Sequence, residues 1–153
     1  MPTYKPQILD WVRRLRSRRS QSGEFEYKPL LVLSVLEILD KTPEHPNFFQ
    51  YEELFEAAKV VASRNNWKID EQQFAHPYLR LKNDKQPVQV WIPQPIDGID
   101  LDDYEIIYPP HVKRDIPSIK INDYLWESFQ NLEDRVAFEQ EIKLRLYPLP
   151  LLR

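Results

Sequence analysis

The run Leu30-Leu31-Val32-Leu33-Ser34-Val35-Leu36-Glu37-Ile38-Leu39 is apolar almost all round, and it constrains the fold more than any other stretch. A helix without a polar face has to be covered by other elements on most of its sides. Lys28-Pro29 precede the run, and proline is well tolerated at the first position of a helix. We therefore predict a central helix that begins there. The free N–H groups at this helix start, with Lys28 beside them, would attract an anion. The alternative interpretation is an ordinary core helix that binds nothing at its start.

The length and composition predict one domain, residues 1–153. The chain is long enough to bury a sizeable core, and 42% of its residues are hydrophobic. Its 14 prolines and 2 glycines predict stiff connections and exclude a glycine-rich phosphate loop. The absence of cysteine excludes disulfides and thiolate metal sites. Without a membrane-spanning run or a secretion leader, we expect a cytoplasmic protein with no membrane partner.

The charge is unevenly distributed along the chain. Residues 1–22 contain six basic residues and one acidic residue, Asp10, which gives this segment a net charge of +5. Since the whole chain carries −3, the remainder carries −8. A basic segment on an acidic body predicts that an anionic partner binds at residues 1–22. The alternative is that these basic side chains form an ordinary solvated surface. The basic residues of the segment are Lys5, Arg13, Arg14, Arg16, Arg18 and Arg19.

Apolar spacing and capping residues predict the other helices. The first runs from Pro6 to about residue 19, and another begins at Tyr51 and is stopped by Asn65-Asn66. Asn122 looks like the N-cap of a short helix, and the last helix covers about Glu133–Leu146. In addition, we expect a short strand at Asn47-Phe48-Phe49, an acidic loop from Asp97 to Glu105, and no regular helix at Tyr108-Pro109-Pro110-His111.

Residues 74–92 predict a β-hairpin. Apolar and basic residues alternate in Tyr78-Leu79-Arg80-Leu81-Lys82, and Val88-Gln89-Val90-Trp91-Ile92 is β-branched and aromatic. The segment between them, Asn83-Asp84-Lys85-Gln86-Pro87, has the composition of a turn. Such a hairpin after helices resembles the wing of a winged helix. The predicted fold class is therefore α+β, mainly helical, with a small antiparallel sheet and a winged-helix-like hairpin.

Patterns typical of metal sites or catalysis are weak. The histidines are far apart in the sequence, and the acidic loop lacks the spacing of an EF-hand. Asp134 with Glu141-Ile142-Lys143 spells the letters of a two-metal nuclease motif, but these residues lie in a predicted helix where 141 and 143 point to different faces. We predict no metal site, no cofactor and no catalytic residues. The three histidines are His45, His76 and His111.

Several segments in order resemble the sulfur-binding domain that recognises phosphorothioate-modified DNA in prokaryotic restriction systems, usually upstream of an HNH nuclease domain. Tyr27-Lys28-Pro29-Leu30-Leu31-Val32-Leu33 resembles the start of a family helix, and Tyr51-Glu52-Glu53-Leu54 resembles the family's third helix. His76-Pro77-Tyr78-Leu79-Arg80-Leu81-Lys82-Asn83-Asp84, with Val90-Trp91 after it, is similar to the family's Tyr-Pro segment. The closing stretch, from Asn131 to Tyr147-Pro148, also resembles the family.

The resemblance implies a shallow apolar pocket with Pro77 under the sulfur, His76 and Arg80 on its rim, and Tyr27 and Lys28 across from them. A sulfur atom is a poorer hydrogen-bond acceptor than a phosphate oxygen, so a ring of C–H groups suits it better. His76 stands where the family has tyrosine, and Tyr27 where it has histidine, so the rim is rebuilt. The sulfur- and DNA-binding candidates are Tyr27, Lys28, His76, Pro77, Tyr78, Arg80, Lys82, Asn83, Lys85, Arg18 and Arg19.

The expected function is recognition of phosphorothioate-modified double-stranded DNA without catalysis. No HNH domain follows Tyr147-Pro148, so we expect a recognition domain, with a nuclease in a longer parent chain or in a partner. A homodimer is left open. One alternative is a winged-helix-type regulator that binds unmodified DNA, and another is a protein-interaction domain of a defence system. The last alternative is an enzyme, and the acidic residues considered above as metal ligands are the sole argument for it.

Overall fold

A computed structural model describes residues 5–15, 25–105 and 107–146, with the backbone alone at 145 and 146. The described residues form seven α-helices and one three-stranded antiparallel sheet, so the prediction of a mainly helical α+β domain is confirmed. The helices are α1 (Pro6–Arg13), α2 (Tyr27–Lys41), α3 (Tyr51–Arg64), α4 (Glu71–Arg80), α5 (Pro109–Asp115), α6 (Asp123–Gln130) and α7 (Leu132–Leu146). The strands are β1 (Phe49–Gln50), β2 (Trp91–Gln94) and β3 (Ser118–Ile121).

Helix α2 is the central element, as the apolar run predicts. It contacts α3, α7, α4 and α6, and these neighbours leave residues 29 to 36 buried. Ser34 is tolerated inside the core because its hydroxyl donates a 2.8 Å hydrogen bond to the carbonyl oxygen of Leu30. Glu37, the charged residue of the run, forms ion pairs with Lys41 and with Arg64 of α3.

The predicted helices around α2 are present, but the first of them ends at Arg13. Arg14 forms a turn and Leu15 is not helical, although the sequence predicts helix to about residue 19. Helix α3 begins with a capping box between Gln50 and Glu53, which satisfies N–H groups that a helix start leaves without partners. The side chain of Asn122 accepts a hydrogen bond from the N–H of Tyr124 and caps α6, as the sequence predicts. Helix α7 begins at Leu132, one residue before the predicted start.

The sheet has the order β1-β3-β2, and both pairs are antiparallel. Phe49 is opposite Ile119 in the first pair, and Trp91 is opposite Ile121 in the second. The strand predicted at residues 47–49 is present as β1, shifted to 49–50. The Asn47 side chain lies beside β3 instead, where it accepts a hydrogen bond from the N–H of Ile121 and donates one to the carbonyl oxygen of the same residue.

The prediction of a β-hairpin at residues 78–92 is wrong. Residues 71–80 form α4, a 3₁₀ turn follows at Leu81–Asn83, and only Trp91 and Ile92 of the predicted second strand belong to β2. Tyr78 and Leu79 are adjacent and both buried, an arrangement that a helix permits and a half-buried strand does not. The strand β2 pairs instead with β3, which follows it after a long connection, so residues 78–92 form no wing.

The prediction that Tyr108-Pro109-Pro110-His111 cannot be regular helix is also wrong. Helix α5 begins at Pro109, with prolines at its first two positions. Backbone N–H groups in the first turn have no helical acceptor, so a proline there removes no hydrogen bond. Its N-cap residue Tyr108 is extended, as a residue before proline prefers.

Some predicted features lie outside the described residues. These include residues 16–19 of the predicted first helix, with Arg16, Arg18 and Arg19, and the closing Tyr147-Pro148. Within the described ranges, no helix is both long and apolar enough to cross a membrane.

Candidate nucleic-acid interface

Helix α4 contains four of the candidate DNA-binding residues, and its sequence explains its position. The carboxylate of Asp70 caps the helix by accepting hydrogen bonds from the N–H groups of Gln72 and Gln73, at 2.7 and 3.2 Å. Phe74 and Tyr78, four residues apart, bury one side of the helix. The rings of both residues pack against Tyr51 of α3, so the opposite side of α4 has to face outward.

The outward side of α4 presents an exposed stripe. Gln72, His76 and Arg80 are spaced four residues apart, and Asn83 follows in the 3₁₀ turn; all four are exposed. We call these four residues the α4 face. Lys85, which is also exposed, follows it two residues later. Among the described residues, the side chains of Arg80 and Lys85 have no hydrogen-bond or ion-pair partner, so both cations are available to an anion.

Lys82 is less available than Arg80. Its side chain is only 15% exposed, and its ammonium donates a 3.0 Å hydrogen bond to Oδ1 of Asn83. The same ammonium lies 4.0 Å from Oδ1 of Asp102. Lys82 therefore adds positive charge beside the α4 face while its own position is held by these two residues.

Lys28 does not stand open beside the start of α2. Its ammonium forms an ion pair with Oδ2 of Asp84, and the two side chains are 13% and 6% exposed. The backbone of Asp84 is held as well, since its carbonyl oxygen accepts a 2.6 Å hydrogen bond from the indole of Trp11. The anion predicted beside Lys28 is thus a carboxylate of the same chain.

Tyr27 is buried, with 6% of its surface exposed. Its hydroxyl accepts a 3.0 Å hydrogen bond from the N–H of Asp70, and its ring packs against Phe25. Burial raises the pKa of this phenol, and the hydrogen bond from Asp70 opposes that shift. Tyr27 therefore links the start of α2 to the start of α4. The expectation that it lies across an open pocket from His76 and Arg80 is corrected, because the side chain is buried.

Tyr78 is completely buried. Its hydroxyl donates a 2.7 Å hydrogen bond to the carbonyl oxygen of Ile116, and its own carbonyl accepts a 2.9 Å bond from the indole of Trp91. Burial raises the pKa of the phenol well above its usual range. The prediction that Tyr78 contacts DNA is wrong in this structure, because its side chain is buried and joins α4 to the residue after α5. Its backbone carbonyl joins α4 to β2.

Pro77 lies inside α4 and is buried, so the expectation that its ring is the open floor of a pocket is corrected for the part of the chain that the structure describes. Because proline has no N–H, the carbonyl of Gln73 lacks its helical donor, an arrangement that costs about 3 kcal/mol in a helix interior. At about 100° per residue, Pro77 lies about 60° from Arg80 around the helix axis. The ring therefore borders the α4 face without being part of it.

The residues considered as metal ligands or catalytic groups lie apart from one another and take part in contacts within the fold. His45 lies 3.0 Å from Glu53 and stacks on Phe49, while His111 packs edge-on against Tyr108. In α7, Glu141 forms a 2.6 Å ion pair with Arg13 of α1. Across residues 5–15, 25–105 and 107–146, no three His, Cys, Asp or Glu residues are grouped as metal ligands would be.

The structure adds neighbours of the α4 face that sequence patterns did not indicate. Asp102 approaches Lys82, and the side-chain amide of Gln72 donates a 2.6 Å hydrogen bond to the carbonyl oxygen of Ile107. The acidic loop was predicted, but neither periodicity nor spacing places it beside a helix some twenty residues earlier in the chain. A contact of this kind depends on tertiary packing alone.

Compared with models of known protein families and with curated proteins, this chain matches none of either.

Proposed function

We propose that this protein binds double-stranded DNA through the α4 face, as a reader of phosphorothioate-modified DNA. The observation that carries the proposal is Arg80, which lies exposed between His76 and Asn83 without an acidic partner among the described residues. The resemblance of residues 76–84 to the family's recognition segment supports the same assignment. No step of catalysis is part of the proposal.

The chemistry of the α4 face suits a nucleic-acid backbone. An arginine guanidinium can donate two parallel hydrogen bonds to one phosphate, and a lysine such as Lys85 adds a point charge. His76 and Asn83 contribute further polar groups on the same side. Helix α4 is about 15 Å long. The major groove of B-DNA is about 12 Å wide, which is wide enough to admit an α-helix.

Sulfur discrimination requires apolar atoms next to these cations. A phosphorothioate sulfur loses less on leaving water than a phosphate oxygen does, so it prefers a C–H surface. Pro77 borders the α4 face near Arg80 and supplies such a surface. Since the ring is buried here, a sulfur would reach it only after the side chains over it move. In the proposal, cations supply affinity and the Pro77 edge supplies selectivity.

The test is a titration of two duplexes that differ by one sulfur atom. We expect the wild type to bind the modified duplex at least about tenfold more tightly, equivalent to about 1.4 kcal/mol. Pro77→Ala should bind both duplexes with the affinity of the wild type for the unmodified one. Alanine restores the N–H donor for Gln73, so this variant should remain folded.

The outcomes separate the two parts of the proposal. Equal wild-type affinity for the two duplexes would reject sulfur reading while leaving DNA binding intact. No binding of either duplex at low salt would reject the proposal as a whole, since the charge attraction of a basic face is strongest there.

A protein-interaction domain is the second candidate, and one observation favours it. Helix α7 exposes three apolar side chains: Leu132 is 63% exposed, Val136 47% and Leu144 60%. Exposed apolar residues of this kind are typical of surfaces that bind other proteins. The winged-helix alternative has lost its main argument, because residues 78–92 form no hairpin wing.

A further inference from the structure

The acidic segment Asp100–Glu105 runs beside the α4 face. At one end, Asp102 lies 4.0 Å from Lys82, just beyond the last turn of α4. At the other end, Ile107 accepts the hydrogen bond from Gln72 in the first turn of α4. Asp102 and Ile107 thus contact the chain near opposite ends of α4.

The segment is held in place by contacts on its inner side. Leu101 and Tyr104 pack against the core, and the Tyr104 hydroxyl donates a 2.9 Å hydrogen bond to Oδ2 of Asp115. Burial, together with this bond, raises the pKa of Tyr104 to about 12. The Asp100 carboxylate accepts a hydrogen bond from the N–H of Asp102 and shapes the 3₁₀ turn. These contacts hold the backbone of residues 100–104 in place.

The outer side of the segment is strongly acidic. Asp102, Asp103 and Glu105 are all exposed, and the side chain of Asp102 is 94% exposed. Only Asp102 has a cation near it among the contacts described for these three carboxylates. A DNA phosphate placed on this side of α4 would meet negative charge, whereas one placed at Arg80 would meet positive charge.

We propose that Asp102, Asp103 and Glu105 determine specificity by repelling DNA that is not seated on the α4 face. This inference rests on the proposed function. Repulsion between like charges weakens the binding of a wrongly placed DNA more than it weakens the binding of a correctly placed one. The segment would keep sequence-independent backbone binding weak, so that contacts at Arg80 and its neighbours decide which DNA is held.

The experiment compares two triple variants with the same change in net charge. The test variant is Asp102→Asn, Asp103→Asn and Glu105→Gln. The control is Glu44→Gln, Glu56→Gln and Glu127→Gln, which removes exposed carboxylates from the loop after α2, from α3 and from α6. Both are titrated with an unmodified duplex over a range of salt concentrations, alongside the wild type.

We expect the test variant to bind the unmodified duplex at least about fivefold more tightly than the control variant, the combined effect of three exposed charges. The excess should shrink as salt rises. Equal affinity of the two variants, with measurable wild-type binding, would overturn the specificity role and leave the proposed function standing. If neither the wild type nor either variant binds DNA at low salt, both proposals fail.

Discussion

Lys28 at the start of α2 and Asp84 after the 3₁₀ turn of α4 form an ion pair that is nearly withdrawn from water, although 56 positions separate them in the sequence. The carbonyl oxygen of Asp84 also holds the indole of Trp11, so one residue joins α1, α2 and the end of α4. The pair gives a structural role to Lys28, which the resemblance to the sulfur-binding domain places across the pocket from His76 and Arg80.

Removing one member of this pair should destabilise the fold. Lys28→Met removes the ammonium that forms the buried ion pair with Asp84, and we expect the free energy of unfolding to fall by about 3 kcal/mol. In the double variant with Asp84→Asn, the loss should be smaller than the sum of the two single losses. Denaturant titrations of the four proteins measure this coupling, and strictly additive losses would show that the pair contributes nothing.

Tyr78→Phe separates a structural role of Tyr78 from a DNA-binding role. The substitution leaves the carbonyl of Ile116 without its buried donor, and we expect a loss of about 1–2 kcal/mol of unfolding free energy. Affinity for a duplex should not change, because the side chain is completely buried. Thermal unfolding and duplex titration of the same preparation check both statements. A weakened duplex affinity in a folded Tyr78→Phe protein would contradict the structural assignment.

Glu37 should make stability depend on pH. The hydrogen bond from Arg64, with further help from Lys41, holds the pKa of Glu37 below its usual value of 4.5. A lowered carboxyl pKa stabilises the fold above the unfolded value, and this contribution is lost as the pH falls through the folded pKa. Since Arg64 and Lys41 are exposed, we expect Glu37→Gln to cost only about 0.5–1 kcal/mol at pH 7.

The control for this pH dependence is Glu56→Gln, which changes an exposed carboxylate that is paired with Lys59 on the surface of α3. Unfolding curves between pH 3 and pH 7 should converge for wild type and Glu37→Gln as the pH falls. A difference that stays constant over this range would show that the ion pairs of Glu37 are not its source.

The central helix and its neighbours could be predicted because local rules and tertiary packing agree there. The apolar run Leu30–Leu39, the cap at Asn122 and the stop at Asn65-Asn66 each specify an element without knowledge of the partner. Residues 78–82 show the opposite case. Their alternation of apolar and basic residues fits a strand locally, but the cap at Asp70 and the packing of Phe74 and Tyr78 on Tyr51 favour a helix.

The sequence could predict which residues form the candidate site, but it could not predict how they are arranged in space. Sequence places His76, Arg80 and Asn83 near one another, and the structure brings them to one side of α4. Sequence does not reveal that Asp84 neutralises Lys28 or that Asp102 approaches Lys82, because both contacts join distant segments. Charge signs alone therefore overestimated how open the predicted site is.

The salt dependence of duplex binding tests most directly whether the α4 face holds the DNA backbone. In a plot of log affinity against log salt, each phosphate neutralised contributes about 0.9 to the slope, so Arg80→Gln with Lys85→Gln should reduce the wild-type slope by about 1.8. The control is Lys59→Gln with Lys143→Gln, which removes exposed cations from α3 and α7 and should leave the slope unchanged. Equal slopes for the wild type and the Arg80 and Lys85 variant would contradict the account.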